Sequence, residues 1–403
     1  MKKTIILFFI LLSSFVYGQD NFRLAEKYYR DGEFEKATEI FKLLFEKNQY
    51  NTVYLKRLIS SYQETSKFDE VEKLLKERLL KQPKHTYLNV ELGYNYEKQQ
   101  QKETAKIYYD KAINSIKKYN NMGGLIGRLF NDNALLDYAV LAYKETMRYN
   151  PNANYEIQIA QIYGEKGAFK EMFVSYIDLI DKNENYLNAV QRLTSRYITD
   201  DRLNENNILF KKALIRKSVS NPKNVWNVLL SWLFVQQKEY EKALIQEKAL
   251  FNRNPKYIVN ILNLGYNSYN NKAYETAKKC FDFILEKSPF IEQILTANLY
   301  TVKIAIATNQ ENIGVLFEEI FKRYGKKSNT LKIQLEYADY LTFKKNEPEK
   351  AITILTNAKA VAKSKFQQAE IKLKLGDVHV FTGKYNRALI YFSQVQTSIK
   401  NHP

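Results

Sequence analysis

The stretch VELGYNYEKQQQKETAKIYYDKA, residues 90–112, decides the fold of this chain. In it Gly93 is followed by Tyr96 three positions later, by Ala105 twelve positions later and by Tyr109 sixteen positions later. Residues three or four apart share one face of a helix, so each half of the stretch predicts a helix. Two antiparallel helices joined by a short turn approach closely only where their side chains are small. The spacing therefore predicts a helical hairpin.

The same pattern recurs along the chain at a period close to 34 residues. The first small position is held by Ala25, Ile59, Gly93, Gly127 and Ala160. The second position is held by Ala37, Val71, Ala105, Ala139 and Met172, and the bulky position by Phe41, Leu75, Tyr109, Tyr143 and Tyr176. The frame returns later with Ser231/Ala243, Gly265/Ala277/Phe281 and Gly376/Ala388/Phe392. A fixed period of this length predicts a repeat array of helical hairpins.

Proline and glycine positions agree with this frame. Twelve residues after the second position, where one hairpin should lead to the next, lie Pro83, Pro151, Pro255 and Pro289. Pro348 falls in the first turn of a predicted helix, where its missing N–H is harmless. The turns inside hairpins are predicted at Gly32, Gly167 and Gly383. No proline interrupts a predicted helix interior, where it would cost about 3 kcal/mol.

The pattern resembles the tetratricopeptide repeat, whose signature places Leu-Gly, Tyr, Ala, Phe and Pro at fixed offsets. The match is clearest at Leu92-Gly93, Leu264-Gly265 and Leu375-Gly376, although Ser268 and His379 replace the usual aromatic residue in the last two. The resemblance, to exported bacterial members of the family, implies an all-α solenoid, a right-handed superhelix of about ten or eleven hairpins. It also implies that partners bind on a concave face lined by the first helix of each hairpin.

Two segments depart from the frame and divide the expected array. We expect an N-terminal array over 19–185, a degenerate hairpin over 186–222 and a C-terminal array over 223–403, in which 290–329 is degenerate. The first departure contains the polar run Thr199-Asp200-Asp201-Arg202. Because the sequence ends where another helix is expected, we expect either a fragment of a longer protein or a partner that covers this end.

The N-terminal residues are typical of a secretory leader. Lys2 and Lys3 precede the apolar run Thr4–Leu12, and small residues lead to a cleavage point after Gly18. This order favours a removed signal peptide over 1–18 over an ordinary N-terminal helix. The prediction is an exported protein of the periplasm or cell envelope, with no transmembrane segment once the leader is removed.

The net charge of the chain favours some classes of binding partner over others. The formal net charge is +18, or +16 without Lys2 and Lys3. In an exported protein this charge favours acidic polysaccharides, anionic lipid surfaces or acidic protein partners over nucleic acid. The basic residues are spread over the whole chain, so much of the charge is also consistent with solvated helix surface.

The supply of chemically active side chains is small. The chain has three histidines, His85, His379 and His402, and one cysteine, Cys280, which we expect to be buried. Neither a metal site nor a cofactor is predicted. The glycine-rich run Met122–Gly127 follows no strand and lacks the Lys-Ser/Thr ending of a phosphate loop. The sequence therefore predicts a protein that binds rather than an enzyme.

Candidate binding residues follow from the first-helix positions that should point away from the hairpin core. They are Tyr29, Arg30, Lys56, Gln63, Tyr87, Tyr94, Lys98, Arg128, Val228, Trp232, Leu262, Tyr266 and Tyr269. The last five would form an aromatic and aliphatic cluster, although packing between hairpins is an equally good explanation of its rings. The function predicted is a protein-binding scaffold or adaptor of the bacterial cell envelope. The alternative is binding of an acidic polysaccharide or an anionic lipid surface.

Overall fold

The structure, a computed structural model, describes residues 21–399. The predicted leader over 1–18 and His402 lie outside the described residues. Within 21–399, no helix is long and apolar enough to cross a membrane.

All regular elements in the described part of the chain are helical, which confirms the all-α prediction. Within residues 21–399 the helices pair in chain order as eleven hairpins, in agreement with the predicted ten or eleven. The first five hairpins are α1 (21–30), α2 (Phe34–Lys47), α3 (Thr52–Glu64), α4 (Phe68–Lys81), α5 (Leu88–Lys98), α6 (Lys102–Ser115), α7 (Gly123–Asp132), α8 (Leu136–Tyr149), α9 (Glu156–Glu165) and α10 (Phe169–Lys182).

The remaining six hairpins belong to a second compact unit, which begins at Asn183; the first ends at Lys182. Their helices are α11 (Leu187–Thr194), α12 (Glu205–Ser220), α13 (Asn224–Gln236), α14 (Tyr240–Arg253), α15 (Ile258–Asn270), α16 (Tyr274–Lys287), α17 (Ile291–Ala307), α18 (Ile313–Tyr324), α19 (Leu331–Asp339), α20 (Pro348–Val361), α21 (Lys365–Phe381) and α22 (Tyr385–Ile399). A wider π-helical turn, Tyr340–Lys344, extends α19. We call the two parts unit 1 and unit 2.

The close approach inside a hairpin is a glycine facing a ring. A Cβ added to Gly93 would lie 2.3 Å from the Tyr109 ring, and one added to Gly127 would lie 2.5 Å from the Tyr143 ring. A Cβ added to Gly376 would likewise lie 2.3 Å from the Phe392 ring. The predicted small positions are thus confirmed, and the ring sixteen residues later is the partner that requires them.

The turns inside hairpins, except the one between α11 and α12, contain a residue in the left-handed region. Gly32, Gly167 and Gly383 have φ of +78°, +71° and +72°, as predicted for the glycine positions. The equivalent turns of other hairpins use residues with side chains, namely Ser66, Gln100, Ala134, Lys238 and Lys272. The left-handed residue ends the first helix and lets the chain reverse toward the second.

The two irregular segments are built differently from the other hairpins. In the first, α11 is only eight residues long, and the buried Asn207 amide donates to the carbonyls of Thr199 and Asp201, at 2.8 and 2.6 Å. In the second, Phe317 of α18 packs on Tyr337 of α19 with ring centroids 4.6 Å apart. A polar anchor therefore connects the turn and second helix of the first segment, and in the second segment an aromatic contact joins α18 to the next hairpin.

Two single-residue predictions are also confirmed. Cys280 is buried in the core, and burial raises the pKa of its thiol to about 12. His379 occupies the core aromatic position and stacks on Tyr391 with centroids 5.6 Å apart.

Candidate functional site

The first helices of three successive hairpins in unit 1 enclose a cavity of about 560 Å³. Its apolar walls come from α3, α5 and α7, and its charged residues come from the same three helices. We call it the α3–α5–α7 groove. The apolar lining includes Val53, Leu55, Ile59, Tyr87, Leu88, Leu125 and Leu129, and the charged lining consists of Lys56, Arg57, Glu91, Arg128 and Asp132.

The repeat frame explains why these side chains meet. Successive residues of an α-helix are rotated by about 100°, so a residue two positions before a small core residue points away from the hairpin interior. Arg57, Glu91 and Leu125 each lie two positions before the first small residue of their hairpin. The same register therefore repeats on α3, α5 and α7 and brings the three side chains to one surface.

An ion pair joins the two outer helices of the groove. Lys56 Nζ of α3 lies 2.9 Å from Asp132 Oδ2 of α7, past the intervening α5. Both side chains are partly exposed, so the pair contributes only about 0–1 kcal/mol to stability. Since the pair spans the intervening α5, we call the groove-lining surface of α5 the floor of the groove.

Glu91 of α5 lies at that floor. Burial raises the pKa of its carboxyl to about 7, and the charge of Asp132 acts in the same direction, while Lys56 opposes both. This carboxyl therefore keeps its proton to a much higher pH than an exposed glutamate does. An uncharged carboxyl can donate a hydrogen bond, whereas a carboxylate only accepts.

The two arginines of the groove have different surroundings. Arg57 pairs with Glu26 of α1, with Nη2 2.9 Å from Oε2, and its guanidinium lies 5.4 Å from the centre of the Tyr29 ring. Arg128 is exposed and makes no ion pair with any of the described residues. Its guanidinium is the groove cation that a ligand can reach without displacing a partner.

The structure places three of the predicted binding residues in this groove: Lys56, Tyr87 and Arg128. Tyr94 and Lys98 lie beyond it on α5, where Lys98 is 3.5 Å from Glu64 and 5.7 Å from the centre of the Tyr94 ring. Tyr29 lies close to Glu64 and Lys98. Burial raises the pKa of its hydroxyl, Glu64 raises this pKa further, and Lys98 opposes the increase.

Two further predicted residues have local roles. Arg30 is exposed and donates from Nε to the Glu26 carbonyl one turn earlier on its own helix, at 3.4 Å. Gln63 is buried and donates to the Asn95 side chain at 3.4 Å, which places it between hairpins rather than on a binding surface. Its position was predicted as outward because the repeat spacing alone does not show the neighbouring hairpin.

The five candidates of unit 2 are half-buried and fall into separate packing groups. Trp232 packs edge-on against Phe210 of the preceding hairpin, at 6.4 Å between centroids. Tyr266 and Tyr269 both contact Tyr300 of the following hairpin, at 4.9 and 5.1 Å. Val228 and Leu262 are likewise half-buried. In the described residues, these ring contacts join Trp232 to the preceding hairpin and the two tyrosines to the following one. Packing between hairpins therefore explains the three rings better than one shared binding cluster does.

The binding residues predicted from the sequence do not include three residues that line the groove, namely Arg57, Glu91 and Asp132. A usable signal existed for the first two, because both are charged residues two positions before a first small residue. Asp132 shows no such signal, since its role depends on contact with Lys56, 76 residues away in the chain.

Unit 2 has a smaller groove of about 390 Å³, lined mainly by α17, α19 and α21. Its charged residues are Glu292, Lys332 and Glu370. Within 21–399, no group of three His, Cys, Asp or Glu residues could hold a metal ion.

The glycines of the run Met122–Gly127 serve packing. A Cβ on Gly123 would overlap the Thr146 side chain, and one on Gly124 would lie 2.0 Å from the Tyr155 hydroxyl. Gly127 faces Tyr143, as described above.

The spacing and the glycine–ring contacts build an array of helical hairpins that resembles the tetratricopeptide repeat. Solved structures to which it is similar include a tetratricopeptide repeat protein from Parabacteroides merdae, at 15% identity, covering 69% of this chain and 93% of that one, with a TM-score of 0.33. Yeast Tom70 is similar at 12% identity, with 94% and 92% covered and a TM-score of 0.27. The C-terminal part of a repeat protein from Cytophaga hutchinsonii is similar at 16% identity, with 68% and 98% covered and a TM-score of 0.26. No family model matches the chain, and no curated protein matches it.

Proposed function

We propose that this protein is a non-catalytic scaffold that binds a protein partner in the α3–α5–α7 groove. The observation that carries the proposal is the convergence of side chains from three hairpins on one cavity of about 560 Å³. Aliphatic walls give a ligand apolar area to bury, and the few charged groups among them fix its orientation. A bound segment would also link three hairpins that otherwise contact mainly their neighbours.

A matched pair of bulky substitutions tests the use of this groove. Val53 lines it and is 52% exposed, whereas Leu141 is 42% exposed on the second helix α8, outside it. Val53→Trp should fill the groove and abolish partner recovery in an affinity pull-down from cell-envelope extract, and Leu141→Trp should leave recovery unchanged. Equal recovery by both variants would overturn the proposed site.

We further propose that the scaffold is exported to the periplasm or cell envelope of a bacterium. The support is the order of basic, apolar and small residues over 1–18. N-terminal sequencing of the protein from the envelope fraction should give Gln19 as the first residue. A protein that retains Lys2 and Lys3 in the soluble cell fraction would contradict this localisation.

A further inference from the structure

The charges of the α3–α5–α7 groove are unequal. Three cations line it, Lys56, Arg57 and Arg128, against the two carboxyls of Glu91 and Asp132. Arg57 is engaged by Glu26 and Lys56 by Asp132, which leaves the Arg128 guanidinium without an opposite charge. When Glu26 is counted against Arg57, the charges balance if Glu91 is ionised, and the groove has an excess of one positive charge if Glu91 is uncharged.

Several charged groups surround Glu91, and most of them are basic. The middle helix α5 lies between α3 and α7. Tyr87, which directly precedes α5, lines the groove together with Glu91. From α6, Tyr109 faces Gly93 rather than the groove. The charged groups that approach from other helices are Lys56 and Arg57 on α3, Arg128 and Asp132 on α7, and Arg78 of α4 beside Tyr87.

We propose that this groove takes a segment of a partner protein that carries Asp or Glu side chains among aliphatic ones, with Arg128 and Lys56 as the anion-binding groups. The proposal rests on the proposed function, since it names the ligand of the same site. A ligand carboxylate pairs with Arg128, which has no partner to lose. A second carboxylate takes Lys56 from Asp132, because a partly exposed ion pair is weak enough to exchange. Leucine and isoleucine side chains of the ligand pack on Val53 and Leu125, the aliphatic groove residues that remain accessible.

Glu91 makes this binding depend on pH. When its carboxyl holds a proton, it presents no charge to an incoming carboxylate and can donate a hydrogen bond to it. When the proton is lost, Glu91 repels the ligand and competes for Lys56. Burial raises the pKa of Glu91 to about 7, so the change falls near neutral pH. A bound carboxylate raises this pKa further, and affinity consequently falls as pH rises through and above 7.

The ligand chemistry is tested with a displayed library of random peptides of about twelve residues, each placed inside a loop so that no free carboxyl terminus is presented. The library is selected against the full chain at about pH 6. We expect enrichment of peptides with Asp or Glu next to Leu, Ile or Val. Binding of the selected peptides should weaken about tenfold or more in Lys56→Gln and in Arg128→Gln. It should be unchanged in Lys106→Gln, which removes an exposed lysine of α6 outside the groove.

The role of Glu91 is tested with the same peptides in titrations at about pH 6 and pH 8. The wild-type chain should lose roughly tenfold in affinity over this interval, while Glu91→Gln should change by less than about twofold. Asp132→Asn frees Lys56 and should bind more tightly than wild type at both pH values. Circular dichroism and thermal melting of each variant show whether it has folded.

The outcomes separate this inference from the proposed function. Selected peptides that are basic or neutral, yet lose binding in Val53→Trp, would overturn the acidic ligand and leave the groove as the binding site. An equal pH dependence in wild type and Glu91→Gln would overturn the role of Glu91. Selected peptides that bind Val53→Trp as well as wild type would overturn the groove itself.

Discussion

At the scale of single residues, the hairpins depend on positions where a hydrogen replaces a side chain. Gly93 and Gly127 accept the rings of Tyr109 and Tyr143 at distances that no Cβ tolerates. The recurrence of the glycine and the ring at a fixed spacing could be predicted from the sequence. The position of the ring on the glycine itself could not, since spacing alone does not distinguish it from contact between the two small residues.

Gly93→Ala should therefore destabilise the protein. The new methyl would lie 2.3 Å from the Tyr109 ring, and overpacking of a tight core costs about 1–3 kcal/mol. Gly314→Ala is the matched control, since this glycine of α18 has nothing within 4 Å of the added Cβ. There the better helix propensity of alanine should stabilise by up to about 1 kcal/mol. Chemical denaturation measures both, and a stabilising Gly93→Ala would contradict the packing.

Glu91 could not be identified from the sequence as a group with unusual titration. Its position two residues before Gly93 indicates an outward side chain, but its surroundings are set by Lys56 and Asp132, which lie 35 and 41 residues away. Only the approach of three hairpins brings these groups together.

Glu91 should also make stability depend on pH. Its pKa is raised from the ordinary 4.5 to about 7, so proton binding favours the folded state. This contribution is complete below about pH 4.5 and is lost as pH rises through 7. Glu91→Gln, which cannot ionise, should then exceed wild type by about 3 kcal/mol in unfolding free energy at pH 8 and come close to it near pH 4.5.

Denaturant titrations at the two pH values measure this difference. Glu77→Gln is the control, because it removes an exposed carboxyl of α4. A gain in Glu91→Gln that is the same at both pH values, or a loss at pH 8, would show that burial does not perturb this carboxyl.

At the scale of elements, the hairpin turns are more uniform than their sequences. Glycine predicted three of these turns, at residues 32, 167 and 383. Other hairpins adopt the same left-handed conformation with Ser66, Gln100, Ala134, Lys238 or Lys272, whose side chains give no turn signal. The helix before the turn and the one after it impose the conformation, so the sequence of the turn residue alone does not predict it.

Ala134→Gly should stabilise the protein. Ala134 has φ of +57°, a region that costs an L-residue about 1–2 kcal/mol, and glycine removes this cost against a smaller loss of backbone entropy. The net gain should be a few tenths of a kcal/mol to about 1 kcal/mol. The same substitution at the exposed Ala360, inside α20, should instead destabilise by about 0.5–1 kcal/mol. Thermal melting should move in opposite directions, and a shared direction would argue against strain at Ala134.

At the scale of the whole molecule, the repeat period predicted the all-helical array and the number of hairpins. The candidate site was predicted only in part. Lys56, Tyr87 and Arg128 line the groove as first-helix positions, but the aromatic side chains of unit 2 pack on neighbouring hairpins. A repeat sequence shows which residues leave the core of their own hairpin. It does not show which of them the adjacent hairpin covers.

The net charge of the chain does not by itself show where a partner would meet positive charge. Lysines form ion pairs between successive hairpins, such as Lys166 with Asp137 and Lys279 with Glu241. Such pairs place part of the positive charge in contacts between repeats. The charge that a bound ligand meets is therefore local, and in the α3–α5–α7 groove it includes the exposed Arg128.

The central claim, that a protein partner lies in the α3–α5–α7 groove, is tested most directly by site-specific photo-crosslinking in cells. A photoreactive side chain replaces Val53 in the groove or Leu141 outside it, both exposed aliphatic positions. A crosslinked partner at residue 53 and none at residue 141 is the result that this account predicts. Crosslinks of equal yield at both positions, or at residue 141 alone, would contradict it.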